Sequence, residues 1–170
     1  MLTNLTWPTQ LGTAAAGLTL RDATEADLHA LMLLLSDDPI SASRGDRDAP
    51  EDRPAYLEAL QAVTADPANA LLVVVDANTN VVATMQLTRI PGMARRGSTR
   101  LLVEAVRVRS DLRSNGIGGA MMRWVRDTAS GELRSDLIQL TSDAARVDAH
   151  RFYERLGFTG SHVGFKYRIR

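Results

Sequence analysis

Cysteine is absent from this chain of 170 residues. Without a thiol the protein forms neither disulfides nor thiolate metal sites, and it cannot pass an acyl group through a cysteine intermediate. Lysine occurs once, at Lys166, so the basic side chains are otherwise arginines. Because arginine stays protonated, it suits the binding of phosphate and carboxylate groups but does not serve as a general base.

An excess of charge of either sign is also missing. Twenty Lys and Arg residues balance twenty Asp and Glu residues, so no overall field favours nucleic acid or a membrane surface as a partner. No apolar stretch approaches the length of a membrane span, and the first twenty residues lack the basic start of a signal peptide. We therefore expect a cytoplasmic protein that binds neither nucleic acid nor membrane.

The size and composition predict one globular domain. Hydrophobic residues make up 45% of the chain and charged residues 24%, which is ordinary for a folded protein, and 170 residues are enough for a single substantial core. The stretch 1–17, rich in Thr and Ala, is predicted to be a loosely ordered lead-in. Residues 18–170 are predicted to form the domain.

Hydrophobic periodicity predicts the order of elements along the chain. Helical spacing of apolar residues predicts helices that begin at Thr24, near Tyr56, at Ala120 and at Val147. Apolar runs predict strands at Gly17–Arg21, Leu71–Val75, Val81–Ile90, Leu101–Arg109, Leu137–Thr141 and His162–Ile169. Polar stretches predict loops at Ser36–Arg53 and Pro91–Thr99. This order predicts an α/β fold (α+β) with a mixed sheet and helices on both faces.

A glycine-rich loop lies between the predicted strand Leu101–Arg109 and the helix after it. Its residues are Arg113, Ser114, Asn115, Gly116, Ile117, Gly118 and Gly119. Such a turn exposes several backbone N–H groups at a positive helix end, which is an arrangement that binds phosphate, and Arg113 adds a charged donor. The loop has neither the Lys-Ser/Thr pair of a Walker A site nor the glycine spacing of a dinucleotide site. A tight turn that binds no ligand is the alternative interpretation.

Two segments carry a resemblance to a known family. The segment from Arg107 to Met122 resembles the acyl-CoA signature of the GNAT N-acetyltransferase superfamily. About thirty residues later, Ala149–Phe158 is similar to the second signature of that family. The resemblance extends over roughly Leu18 to Ile169, and it implies a mixed, mostly antiparallel sheet of six to seven strands.

The family resemblance also implies a reaction. Acetyl-CoA would bind with its pyrophosphate on the residues from Arg113 to Gly119 and its pantetheine arm along Val106, Arg107 and Val108. The acetyl group would pass directly to a primary amine, which we expect to belong to a small molecule, and no metal is expected because the three histidines show no ligand spacing. A non-catalytic acyl-CoA-binding or regulatory module on the same fold is the alternative, and a homodimer is left open.

Tyr153 and Glu104 are the candidate catalytic residues. The resemblance places Tyr153 where family members protonate the departing sulfur, and a phenol suits that role because its usual pKa of about 10 exceeds that of a thiol; the alternative is a packing role. Glu104 is a carboxylate within an apolar run, so we expect it to be partly buried and to serve as the base. A salt bridge from Glu104 to Arg107 or Arg89 is the alternative.

Three further residues are considered for the site. His150 and His162 are weaker candidates, His150 for packing or catalysis and His162 for lining an acceptor pocket. Arg146 stands where the family often has an asparagine that helps to bind pantetheine, so that role is not carried over to it. The predicted acceptor pocket lies between Ser36–Arg53, Tyr56, Pro91–Thr99 and His162, and its mixed charges leave the acceptor unidentified.

Overall fold

A six-strand sheet forms the centre of the molecule. The computed structural model describes residues 2, 5–12, 17–167 and 169. Within them the strands lie in chain order as β1 (Thr9–Gln10), β2 (Thr19–Asp22), β3 (Asn69–Val75), β4 (Val81–Ile90), β5 (Arg100–Val108) and β6 (Leu137–Leu140). Neighbouring strands are antiparallel except β5 and β6, which are parallel. The predicted mixed, mostly antiparallel sheet is confirmed.

Helices cover both faces of this sheet, as the sequence predicts. They are α1 (Leu28–Ser36), α2 (Pro39–Ser43), α3 (Arg53–Ala65), α4 (Ile117–Trp124) and α5 (Val147–Arg155), with a π-helical turn at Val125–Ala129 and a short helix at Ser130–Glu132 after α4. One core packs α4 and α5 against Leu72 and Val74, and the other packs α1 and α3 against Val73 and Val75. Because side chains alternate along a strand, β3 contributes to both cores.

None of the described helices is long and apolar enough to cross a membrane.

The described part of the N-terminal segment packs onto the domain. Strand β1 pairs with β2, and Leu2, Leu5 and Leu11 are buried in the core that holds α4. The Trp7 ring lies against the Trp124 ring with centroids 5.4 Å apart. The loose order of residues 1–17 and the domain boundary at residue 17 stay predictions. The described residues of this stretch nevertheless make apolar contacts that the sequence did not indicate.

Two local predictions are wrong. The described residues of His162–Ile169 form no strand, and Phe165 and Tyr167 are 93% and 92% exposed. A segment with apolar alternation forms a strand only when a partner strand supplies hydrogen bonds, and the described residues of this segment pair with no strand of the sheet. The predicted loop Ser36–Arg53 contains α2, whose first turn is stabilised by Asp38 accepting a hydrogen bond from the Ser41 N–H at 2.8 Å, with Pro39 at the first helical position.

A bulge changes the course of β5 next to the site. Glu104 lies opposite Gln86 and Arg107 lies opposite Thr84, so two β5 residues between them face a single β4 residue. The first of these, Ala105, has a φ of 49°, as expected for a bulge with a left-handed residue. Strand β6 pairs with β5 only as far as Val103. In the described part of the chain, the edge of residues 104–108 on the β6 side is therefore not covered by another strand.

Candidate functional site

The glycine-rich loop has the geometry of an anion site. A 3₁₀ turn (Ser110–Leu112) follows β5, and Ser114 and Gly116 then adopt φ values of 66° and 81°. These left-handed residues turn the chain so that α4 begins at Ile117, three residues earlier than the predicted start at Ala120. The first N–H groups of a helix have no intrahelical acceptor and lie at its positive end, and Arg113, Ser114, Asn115 and Gly116 are exposed.

Gly118 connects this loop to the second signature. A Cβ atom at Gly118 would lie 3.5 Å from Cζ of Phe152 and 3.7 Å from Cγ2 of Val108. The start of α4 is therefore packed against both the end of β5 and helix α5. Two motifs that are separate in sequence therefore contact each other in the fold.

Tyr153 lies beside that junction and is held by aromatic contacts. Its ring meets Phe152 edge to face at 5.0 Å between centroids and Phe158 at 5.9 Å. Burial raises the pKa of the Tyr153 hydroxyl, while the charges of Arg107 and Arg146 oppose that shift. Because the net shift is upward, Tyr153 remains a neutral phenol at pH 7 and keeps a proton to donate.

Glu104 is exposed, so the expected partial burial is wrong. Side chains alternate along β5, and Leu101 and Val103 take the places that face the core. Neither of the two alternative salt-bridge partners pairs with Glu104: Arg89 donates to the backbone oxygen of Leu133, and Arg107 donates to Oγ of Ser41. Among the described residues, Glu104 forms no ion pair within 4.0 Å. Its role as a base stays a prediction.

Arg107 lies just beyond the bulge with its guanidinium half-buried. One terminal nitrogen donates to the backbone oxygen of Val106 at 2.9 Å, and the other donates to Oγ of Ser41 at 2.7 Å. Its Nε is buried and has no acceptor among the described residues. Burial lowers the pKa of Arg107, and the charges of Asp38 and Asp46 oppose this effect.

A buried ion pair joins α2 to the start of α5. Arg146 donates through both terminal nitrogens to the carboxylate of Asp38, whose residue is 7% exposed. Burial alone would raise the pKa of Asp38, but hydrogen bonds from Arg146 and from the Ser41 N–H, with the charges of Arg107 and Arg146, hold it well below its usual range. Arg146 is thus a structural partner of Asp38. The sequence did not indicate this contact, because it joins residues 108 positions apart.

Arg113 also has a partner from the first half of the chain. Its guanidinium donates to the backbone oxygen of Val108 at 3.1 Å and to Oδ2 of Asp37 at 3.2 Å. The same Asp37 oxygen accepts from the Ser110 N–H at 2.9 Å. The C-terminal end of α1 therefore fixes the entrance of the glycine-rich loop.

The other residues considered for the site make local contacts of their own. Nε2 of His150 lies 2.8 Å from the backbone oxygen of Asp143, which favours the packing role. His162 is exposed, with its Nδ1 2.7 Å from Oγ of Ser161. The loop Pro91–Thr99 joins the end of β4 to the start of β5, so it lies at the opposite end of β5 from the glycine-rich loop.

The comparisons with known proteins identify the family. A family model described as "Acetyltransferase (GNAT) family" matches residues 12–158. The chain belongs to the GNAT acetyltransferase family. A comparison of the sequence with curated proteins gave no match.

Solved structures of other GNAT-fold proteins resemble this one over most of its length. A transcriptional regulator from Bacillus halodurans C-125 is 36% identical, with a TM-score of 0.84 over 89% of this chain and 99% of its own. A putative acetyltransferase from Agrobacterium tumefaciens is 26% identical, with a TM-score of 0.72 over 88% of this chain and 98% of its own. AAC(6')-Iy, solved with the bisubstrate analog CoA-S-monomethyl-acetylneamine, is 14% identical, with a TM-score of 0.70 over 91% of this chain and 99% of its own, and shows the shared fold.

Proposed function

We propose that this GNAT protein is an acetyl-CoA-dependent N-acetyltransferase that acetylates the primary amine of a small molecule by direct transfer. The observation that carries the proposal is the contact of Gly118 with Phe152, which brings the glycine-rich loop next to the partly buried, neutral phenol of Tyr153. A site that only bound coenzyme A would need the loop but not a proton donor beside it.

The residues around the loop fit coenzyme A. The N–H groups from Ser114 to Gly119 and the Arg113 guanidinium supply donors for a pyrophosphate. The edge of β5 that β6 leaves uncovered offers the backbone of Val106–Val108 to an extended pantetheine arm. The structure of AAC(6')-Iy with its CoA-containing bisubstrate analog gives support by analogy of fold.

When bound, acetyl-CoA supplies an activated acetyl group as a thioester. In the proposed reaction the amine nitrogen forms a bond to the acetyl carbon while the carbon–sulfur bond breaks. Tyr153 donates its proton to the leaving sulfur, and the amine gives up a proton to Glu104, either directly or through water. Because Glu104 is exposed and Tyr153 is only partly buried, proton exchange with solvent would remove the proton from Glu104 and return one to the Tyr153 oxygen before the next turnover.

A second candidate function is a non-catalytic acyl-CoA-binding or regulatory module. The 36% identical protein from Bacillus halodurans, described as a transcriptional regulator, is the observation that favours it. Such a module would bind acetyl-CoA and release no coenzyme A in the presence of amines.

The test is amine-dependent release of coenzyme A. Purified protein is incubated with acetyl-CoA and a panel of small primary amines, while free thiol is followed by a colorimetric reagent and acetylated product by mass spectrometry. We expect thiol and acetylated amine in equal amounts. Binding of acetyl-CoA without product from any amine would favour the regulatory module, and absence of binding would contradict both candidates.

A further inference from the structure

We infer that the acceptor amine carries a carboxylate group, as an amino acid does, and that Arg107 binds this carboxylate. The inference rests on the proposed N-acetyltransferase function and specifies the class of acceptor. It depends on the hydrogen bonding of one half-buried guanidinium and on the partners that its charged neighbours already have.

The guanidinium of Arg107 has no anionic hydrogen-bond partner among the residues that the structure describes. Its two acceptors are uncharged: the backbone oxygen of Val106 and Oγ of Ser41. No carboxylate of the described residues forms a salt bridge with it within 4.0 Å, and its buried Nε has no acceptor. A half-buried cation with a buried, unpaired Nε and no ion-pair partner is costly, so a ligand that supplies a carboxylate would be favoured here.

The nearby acidic side chains are already bound to other groups. Asp38 is held by both terminal nitrogens of Arg146. Oδ1 of Asp46 accepts from the Tyr56 hydroxyl at 2.9 Å. Both carboxylates act on Arg107 through their charge alone. The remaining N–H groups of Arg107 are therefore not occupied by these two aspartates, and an incoming carboxylate is the ligand that matches a guanidinium best.

The position of Arg107 suits an acceptor close to the reaction. It follows the bulge in β5 and lies within the uncovered edge whose backbone, Val106–Val108, we assign to pantetheine. Its neighbour Val108 packs with Gly118 against Phe152, whose ring lies 5.0 Å from that of Tyr153 between centroids. Its contact with Ser41 brings it to the α2 side of the sheet. An acceptor carboxylate on Arg107 would hold the amine within reach of the acetyl group beside Tyr153.

The experiment compares matched acceptors. Rates of coenzyme A release are measured with each common amino acid and with the same amino acid as its primary carboxamide. The amine of a carboxamide is less basic and is more often unprotonated at pH 7, so a preference for the acid cannot arise from amine basicity. For at least one amino acid we expect kcat/KM to exceed that of its amide by about ten-fold or more, as loss of a charge-assisted hydrogen bond implies.

Variants then assign the preference to Arg107. R107Q should abolish the acid-over-amide ratio of kcat/KM, a readout that is independent of any change in the overall rate, while R107K should retain part of the ratio. R100Q, the same change at an exposed arginine at the start of β5, should retain all of it. If circular dichroism shows that R107Q does not fold, the acid-over-amide ratios of the wild type and of R107K test the inference instead.

Other outcomes would overturn the inference. Equal wild-type rates with acids and with amides would overturn the inference but not the proposed acetyltransferase function. An R107Q variant that loses the rates with both acceptors to the same extent would have the same consequence. If acetyl-CoA binds but no acceptor reacts, the amino acids are titrated calorimetrically into the protein in the presence of coenzyme A. If none of the amino acids binds, the inference is overturned. Failure to bind acetyl-CoA would instead contradict the proposed function itself, and the inference with it.

Discussion

Replacing Asp38 with asparagine removes one charge from the buried pair that joins α2 to the start of α5. Breaking a buried ion pair on one side typically costs about 3–5 kcal/mol because the other charge is left without a partner. The Arg146 side chain is 20% exposed and can recover some hydration, and asparagine can still accept from the Ser41 N–H. We therefore expect a loss of about 2–3 kcal/mol of unfolding free energy, or a fall in Tm of about 4–12 °C for a chain of this size.

Thermal unfolding followed by circular dichroism measures this difference. D111N is the matched control, since Asp111 pairs with Arg109 at the surface, where the two side chains are 61% and 40% exposed, and such pairs contribute little. Because the pKa of Asp38 is depressed in the fold, its carboxylate stabilises at pH values above its unfolded pKa of about 3.9 and loses that effect as pH falls through the folded pKa. The gap between wild type and D38N should be constant from pH 6 to 8 and shrink below about pH 4. A D38N protein as stable as D111N would refute this reasoning.

Two further predictions concern the reaction. Y153F keeps the ring contacts with Phe152 and Phe158 and removes only the proton donor, so calorimetry should show unchanged acetyl-CoA affinity while kcat falls by about 10²–10⁴; an unchanged kcat, with chemistry rate-limiting, would reduce Tyr153 to a packing residue. E104Q removes the predicted base at an exposed position, so kcat/KM should fall without a change in Tm; normal turnover would assign proton removal to water or another group.

Elements whose backbone conformation depends on neighbouring residues could be predicted from the sequence. The strand, glycine loop and helix around Gly116 follow from residue types whose backbone preferences act within a few positions. The hydrophobic runs of β3 and β4 indicate their strands because apolar β-branched residues favour a buried sheet. The exposure of Glu104 could also have been predicted from the alternation of side chains along β5. Because Leu101 and Val103 face the core, Glu104 faces the other side.

Features that depend on distant partners could not be predicted in the same way. The Asp38–Arg146 and Arg113–Asp37 contacts join segments more than seventy residues apart, and nothing near either residue signals its partner. Apolar alternation at Val163 and Phe165 indicated a strand, but strand formation needs pairing that the described tail does not make. Helix α2 did carry a local signal, because Asp38-Pro39 is a typical helix start, yet the surrounding polar residues favoured a loop.

In the proposed function, the glycine-rich loop holds the pyrophosphate of acetyl-CoA. Asn115 is an exposed loop residue, and N115D adds a negative charge there with almost no change in shape. Repulsion between like charges about 4 Å apart is worth about 1 kcal/mol in bulk water and about 4 kcal/mol near a protein surface. Because residue 115 is exposed, we expect a value toward the lower end, about 1.4 kcal/mol, which weakens binding about ten-fold. N115S is the uncharged control. Calorimetric titration with acetyl-CoA should show wild-type affinity for N115S and about ten-fold weaker binding for N115D; equal affinities for all three proteins would place the coenzyme elsewhere.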